Sequence, residues 1–321
     1  MESEASEKGT TPAQPARPPA LKRLKRRLRY HLVRATLAAF GLLPLPVAQR
    51  LGAWLGGLAF RMASRERTRA LEGLSRAFPE QGQKAREELA RESFRHLGRM
   101  AFELACIRQL DAELAHHVEW PEADRARFAR AWERGRGVIF VTGHLGSWEL
   151  LARRITSDGF PSATIAREAS DPRMTALLGR FREQGGLQTI WRGDPGAARA
   201  MLRTLREGRA LGLLIDQDTR VQSLFVPFFG HLAATPRAPA DLALRTGAAL
   251  LVGTCFRQPD GRYRLEIEEI GVPSPSRTEK EAQALALTAS LTAALEAAIR
   301  RHPAQWVWMH ERWKTRPPAE I

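Results

Sequence analysis

Residues 137–155, GVIFVTGHLGSWELLARRI, pass from an apolar run into a helical pattern within a few positions, and this junction narrows the fold more than any other stretch. Val138, Ile139, Phe140 and Val141 are β-branched or aromatic with no polar residue among them, the pattern of a buried strand in a parallel sheet. Gly143 breaks the run, and Leu145, Trp148, Leu151, Ala152 and Ile155 then recur at helical spacing. The alternation continues downstream. ATIA (163–166), LQTIW (187–191) and ALGLLID (210–216) read as strands, with MTALLGRFREQG and GAARAMLRTLREG as the helices between them. LLVGTCFRQPDGRYRLEIEEI holds a Pro-Asp-Gly turn between alternating segments and reads as a hairpin. Residues 63–136 look helical throughout, and TEKEAQALALTASLTAALEAAIRRH is the last long helix. The expected fold is α/β, a mostly parallel central sheet flanked by helices.

A polar residue at the carboxyl end of a buried strand, where a helix begins, sits where open α/β sheets bind ligands. Here that residue is His144, with Glu149 behind it. Five positions on a regular helix turn through about 500°, which does not place both side chains on one face. If His144 lies in the turn before the helix, Glu149 can reach an imidazole nitrogen and hold the ring in one tautomer as a general base. The competing reading is a capped turn with a solvated glutamate. Arg167 follows the ATIA strand, where a guanidinium can neutralise an oxyanion, grip a phosphate, or simply pair with Glu168 or Asp171. Asp216-Gln217-Asp218 ends another buried strand, and two carboxylates there are costly unless they meet a cation, an imidazole or water. Trp148, Phe225, Phe228 and Phe229 are candidates for an apolar substrate-binding surface, the phenylalanines having core packing as their alternative. Thr235-Pro236 reads as an N-cap with proline at the first helical position. His96, His116 and His117 are expected at the surface.

VTGHLGSWELLARR, with its His-x4-Glu spacing behind a strand, resembles the lysophospholipid acyltransferase-like superfamily, in particular its lipid A biosynthesis (lauroyl/myristoyl) acyltransferases. LIDQDTRVQSLFVPFFG (214–230), ATPRAPADLALRTGA (234–248) and HPAQWVWMHERWKTRPP (302–318) agree in the family's order and extend the resemblance over most of the chain after residue 20. The resemblance implies acyl transfer from an acyl carrier protein thioester to a hydroxyl of a lipid A precursor or another saccharide lipid, on the cytoplasmic face of the inner membrane. His144 is then the base, Glu149 its orienter, and Arg167 or nearby backbone N–H groups the oxyanion donors. One of Asp216 and Asp218, with Asp218 preferred, helps orient the imidazole. Neither a metal nor another cofactor is implied. Glu149 stands where many relatives have aspartate, which fits the lipid A branch better than the glycerol-phosphate branch. Two readings compete: a metal-dependent hydrolase with His144, Glu149, Asp216 and Asp218 as ligands, and a membrane-binding protein that keeps the fold without activity.

The chain carries 50 Lys and Arg against 35 Asp and Glu, a formal charge of +15, which points to an anionic partner. Residues 1–20 are rich in Pro, Ala, Glu and Thr and are expected to be disordered. In LKRLKRRLRYHLVR (21–34), Leu21, Leu24, Leu28 and Leu32 form one stripe and basic residues fill the rest, as in helices that lie on membranes. The apolar segment 35–60 is interrupted by Pro44, Pro46 and Arg50, short of the roughly 20 unbroken residues of a spanning helix. Two short helices dipping into one leaflet are expected, with a spanning helix or a core hairpin as alternatives. Residues 21–62 thus form an N-terminal helical membrane-associating segment ahead of a catalytic domain at 63–321. The apolar segment behind the basic run argues against nucleic acid as its partner. Arg173, Arg180 and Arg182 are the candidate patch for an acidic carrier protein. Cys106 and Cys255 lie among apolar neighbours and read as buried thiols of a reducing compartment.

Overall fold

A computed structural model describes residues 20–276 and 278–318. The tail expected to be disordered lies outside them, except for Ala20, the first residue of α1 (Ala20–Phe40). There follow α2 (Leu45–Met62), α3 (Ser64–Ala77), α4 (Gln83–Ala105), α5 (Ile107–Ala112) and α6 (Leu114–His117). Next come β1 (Val118–Glu119), α7 (Glu122–Glu133), β2 (Val138–Thr142), α8 (Trp148–Ser157), β3 (Ser162–Ala166), α9 (Pro172–Gln184), β4 (Leu187–Trp191), α10 (Ala197–Arg206) and β5 (Ala210–Leu214). The chain continues through β6 (Ser223–Phe228), β7 (His231–Pro236), α11 (Ala238–Thr246), β8 (Ala249–Arg257), β9 (Tyr263–Ile270) and α12 (Lys280–Arg301).

Seven strands form one sheet in the order β1-β9-β8-β2-β5-β3-β4. From β8 to β4 all neighbours run parallel, and β9 returns antiparallel on β8 as the Pro-Asp-Gly hairpin requires. β2 lies at the centre and all five of its residues are buried. Ile139 and Val141 pack on one face with Leu205, Leu244, Leu287 and Leu291. Val138 and Phe140 pack on the other with Phe128, Leu150 and Leu151. Helices therefore cover both faces, which is why β2 reads as an unbroken apolar run rather than an alternation. Gly253 of β8 makes room for Phe140, since a methyl there would lie 1.9 Å from the ring.

A third core gathers Phe60, Leu74, Phe94, Phe228, Phe229, Trp306, Trp308 and Trp313. The tryptophans of the C-terminal segment, which suited either a membrane interface or a core, are core residues. Phe228 and Phe229 are core as well, at 1% and 4% exposure, the second of the two readings that the sequence left open. Thr235-Pro236 does not start a helix. It ends β7, paired with Leu224 and Ser223 of β6, and α11 begins at Ala238. Cross-strand pairing here overrides the local capping signal. The connecting turn places Phe229 and Gly230 at φ 50° and 74°, as a two-residue hairpin loop demands.

α1 is one continuous helix that runs on to Phe40, and α2 docks closely on α4. Gly52 and Gly56 meet Gly98 there: a methyl at Gly56 would lie 2.2 Å from the Phe94 carbonyl oxygen. The outer surfaces stay apolar, and no described residue covers them. Leu21, Leu24, Leu28 and Leu32 are 63%, 53%, 62% and 67% exposed, and Trp54, Leu58 and Met62 of α2 are exposed with them. Among the described residues only α12 is long and apolar enough to cross a membrane, and its Leu287, Leu291, Leu295 and Ile299 belong to the cores.

Candidate active site

β2 and β5 are parallel neighbours with Thr142 opposite Leu214. Two residues beyond each stand His144 and Asp216, so strand register brings them together at the carboxyl edge of the sheet. The Ile215 N–H donates to the Thr142 carbonyl at 3.2 Å and holds the two strand ends side by side. Gly143 permits the final approach, because a methyl there would sit 3.0 Å from the Asp216 carboxylate.

Asp216 is buried and accepts three hydrogen bonds. Its Oδ2 receives the His144 backbone N–H at 2.7 Å and the Trp306 indole N–H at 2.8 Å, and its Oδ1 receives His144 Nδ1–H at 2.9 Å. Burial would raise its pKa, but the adjacent imidazole and these donors outweigh burial and hold the carboxyl down to about 2. A carboxylate on Nδ1 fixes the tautomer and leaves the Nε2 lone pair available. The His144 side chain is 25% exposed. Around it, Trp148 lies edge-on at 5.0 Å between ring centroids and His310 at 5.7 Å. The Gln217 amide is 2.9 Å from Nδ1 and also touches His310 Nε2.

The loop that carries His144 is tied from behind. Gly146 has φ 60°, and a methyl on it would fall 2.0 Å from the Cys255 carbonyl oxygen. The Gly146 N–H donates to the Gln305 carbonyl at 2.9 Å, Ser147 N–H to that of Cys255 at 2.8 Å, and Val307 N–H to that of His144 at 3.2 Å. His96, expected at the surface, is instead 4% exposed, and its Nε2–H donates to the Gly146 carbonyl at 3.2 Å. Burial pushes the His96 pKa down to about 4, so the ring is neutral at pH 7.

Several expected partners lie elsewhere. Glu149 does not reach the imidazole: it sits in the first turn of α8 facing α9, where Arg182 grips both its oxygens. Asp218, preferred over Asp216 from the sequence, accepts the Thr315 N–H at 2.6 Å and its hydroxyl at 3.0 Å. Asp218 points to the C-terminal segment because it is two residues further past the strand end. Arg167 is exposed just beyond β3 and forms no ion pair among the described residues, Asp171 being taken by Arg173 at 2.9 Å. Phe225 is half-buried on β6, and Arg180 is exposed on α9. The ligand set His144, Glu149, Asp216 and Asp218 is divided among separate partners. Among the described residues no cluster of three His, Cys, Asp or Glu could hold a metal ion. Cys106 and Cys255 are both buried and unbridged.

The indole of Trp306 and the imidazole of His310 are parts of the site that sequence spacing does not reveal. Trp306 is 90 residues from Asp216 along the chain, and only the packing of the C-terminal segment joins them. Arg312, 1% exposed, fixes that segment by donating to the Ala234 carbonyl and the Thr235 hydroxyl.

The model of the bacterial lipid A biosynthesis acyltransferases matches residues 18–315. The chain is 31% identical over 284 residues to the lipid A biosynthesis palmitoleoyltransferase of Escherichia coli (strain K12), covering 87% of this chain and 88% of that one. It is 30% identical to the lauroyltransferase of the same organism, over 86% and 88% of the two chains. A phosphatidylinositol mannoside acyltransferase of Mycolicibacterium smegmatis is 25% identical over 57% of this chain and 59% of its own. A match that runs from α1 to Thr315 takes in every element of the site, and the chain belongs to the bacterial lipid A biosynthesis acyltransferases.

Proposed function

We propose that the protein transfers a fatty acyl group from an acyl carrier protein thioester to a hydroxyl of a lipid A precursor, with His144 as general base and Asp216 as the group that orients it. The observation that carries this reading is the Nδ1 contact: an ionised, buried Asp216 holds the proton on Nδ1, so Nε2 is the nitrogen that accepts the proton of the acceptor hydroxyl. That oxygen then attacks the thioester carbonyl and the carrier thiolate departs, taking up a proton. The tetrahedral intermediate needs donors for its oxyanion, and Arg167, exposed at the carboxyl end of β3, is the proposed one. Trp148 and Phe225 remain the candidates for guiding the acyl chain. Glu149 serves by bracing α8 against α9 through Arg182.

The carrier-protein reading rests on charge. Of the three arginines on α9, Arg173 is held by Asp171 and Arg182 by Glu149, which leaves Arg180 as the exposed contact. The test is the initial rate with carrier-protein and coenzyme A donors of one chain length, offered a lipid A precursor or a phosphatidylinositol mannoside and followed by mass spectrometry of the product. The expected result is acylated lipid A precursor, with a KM for the carrier protein that rises steeply between 0.1 M and 1 M salt as the screening length falls from about 10 Å to about 3 Å. Preferred acylation of the mannoside, or equal use of both donors without salt dependence, overturns the respective half of the reading.

The enzyme is proposed to work at the cytoplasmic face of the inner membrane, held there by α1. Its exposed leucine stripe is flanked by Arg23, Lys25, Arg27 and Arg29, and each leucine withdrawn from water contributes roughly 1.5–3 kcal/mol. Leu24→Gln/Leu28→Gln/Leu32→Gln is therefore expected to lower sedimentation with anionic vesicles by at least about tenfold while leaving the melting temperature unchanged. Undiminished pelleting would place the attachment elsewhere.

A further inference from the structure

A cavity of about 840 Å³ opens between α2, α4, the β8–β9 turn and the start of the C-terminal segment, on the far side of the His144 loop. Its cationic lining is Arg50, Arg95, Arg99 and Arg257, with the neutral His96 at the back. Arg95 is matched by Glu92 at 2.9 Å and Arg257 by Glu103 at 2.7 Å. Arg50 and Arg99 have no acidic partner within salt-bridge distance among the described residues. Arg99 is half-buried, and burial together with the like charge of Arg257 pushes its pKa below the ordinary value. Like charges gathered in a concave, partly desolvated site are destabilising until an anion enters. The rim identifies where that anion comes from. Pro46, Arg50 and Trp54 line the cavity from α2, and Arg50 and Trp54 are one helical turn apart. Val47, Trp54 and Leu58 continue the same face and are exposed at 45%, 61% and 36%. A polar, cationic cavity thus opens beside an uncovered apolar stripe.

We propose that this cavity is a phosphate-ester site that seats the headgroup of an anionic membrane lipid, its acyl chains lying along Val47, Trp54 and Leu58. The proposal rests on the membrane reading of α1 and α2. Forked guanidinium donors suit phosphate oxygens, and paired Arg–phosphate hydrogen bonds are the strong, charge-assisted kind. The site is also wired to catalysis. Gln305, in its lining, bonds both the N–H and the carbonyl of Arg257 at 2.9 Å, and the Gln305 carbonyl holds Gly146. His96, also in the lining, holds the other side of Gly146. A seated headgroup therefore stiffens the loop that presents His144.

The test is native mass spectrometry of the full chain in neutral detergent doped with equal amounts of dioleoyl phosphatidylglycerol and phosphatidylcholine. One phosphatidylglycerol per chain is expected to be retained in preference to phosphatidylcholine. In Arg50→Gln/Arg99→Gln retention should weaken at least about tenfold, the loss of charge-assisted hydrogen bonds being worth more than 1.4 kcal/mol. Arg99→Lys/Arg50→Lys should restore part of it, and an unchanged melting temperature of the lipid-free variants excludes misfolding. Arg27→Gln/Arg29→Gln in α1 should leave the bound lipid in place. Equal retention by wild type and Arg50→Gln/Arg99→Gln overturns the site, as does equal loss in the α1 variant or equal retention of the two lipids. Thermal protection by glycerol 3-phosphate without retained phosphatidylglycerol overturns the lipid as its source. None of these outcomes bears on whether the enzyme transfers acyl groups, which the product assay decides separately.

Discussion

His144→Ala is expected to lower kcat by roughly 10²–10⁴-fold while the protein still folds. The imidazole is a quarter exposed, lying edge-on to Trp148 and at an angle to His310, and after its removal Asp216 keeps the residue-144 backbone N–H and the Trp306 indole as donors. What is lost is the one imidazole, among the described residues, whose tautomer is set by a buried carboxylate. His310 lies close by, but its Nε2 meets the Gln217 amide and no carboxylate touches it among the described residues. Turnover of purified His144→Ala within about threefold of wild type would remove the base assignment, because general bases contribute at least about 10²-fold. Glu149→Gln supplies the contrast. It leaves the His144–Asp216 contact untouched and breaks the Arg182 pair in a setting where both side chains are largely buried, 9% and 12% exposed. Leaving a buried charge unpaired costs about 3–5 kcal/mol. That variant is therefore expected to lose more stability and less turnover than His144→Ala.

The reversal of roles between Glu149 and Asp216 shows what a linear pattern carries and what it does not. The strands at 163–166 and 187–191, the strand from 210 and the hairpin after 249 lie within a residue or two of where the patterns put them: β8 is buried along both faces and reads as an apolar run, while β9 is buried on one face and alternates. His144 is at a strand end for the same local reason. Its partner is not a local matter. Glu149 is close in sequence, yet α8 turns it toward α9, while Asp216 is 72 residues away and arrives because β5 pairs with β2. Strand order in a parallel sheet depends on which helices cross over, and no single segment states it. Once β5 is known to neighbour β2, the equal two-residue offsets from Thr142 and Leu214 select Asp216 and exclude Asp218. The tryptophan ambiguity has the same origin. QWVWMHERW fits a membrane interface or a core equally well by composition, and the indole N–H bonds of Trp306 to Asp216 and Trp308 to the Pro303 carbonyl decide it. The N-terminal stripe was legible because its leucines recur at helical spacing, and none of the described residues covers it.

Asp216→Asn is expected to reduce kcat by roughly 10²–10⁴-fold with little change in KM, and also to destabilise the fold. The carboxylate accepts three N–H groups, two on Oδ2 and one on Oδ1. An amide keeps one acceptor oxygen and turns an NH₂ toward the remaining donor. If the oxygen stays with the His144 backbone N–H and the Trp306 indole, the NH₂ meets Nδ1 and drives the imidazole proton to Nε2, where it blocks the base. If the amide flips, the tautomer survives but the backbone N–H and the indole lose their acceptor in a buried place, at about 1–3 kcal/mol for each unsatisfied group. Either way the variant is poorer, and the first outcome is the one that removes activity. The pH dependence separates the charge from the packing. In the unfolded chain an aspartate titrates near 3.9, and in the fold this one is held down to about 2. Its contribution, on the order of 2 kcal/mol, is therefore complete above about pH 5 and is lost as the pH falls through the folded value. Thermal melts of wild type and Asp216→Asn should differ most at pH 5–7 and converge toward pH 2, as the wild-type carboxyl itself becomes neutral. A melting difference that stays constant over that range would mean that Asp216 acts as a neutral hydrogen-bonding group, and the fixed-tautomer account of His144 would fall with it.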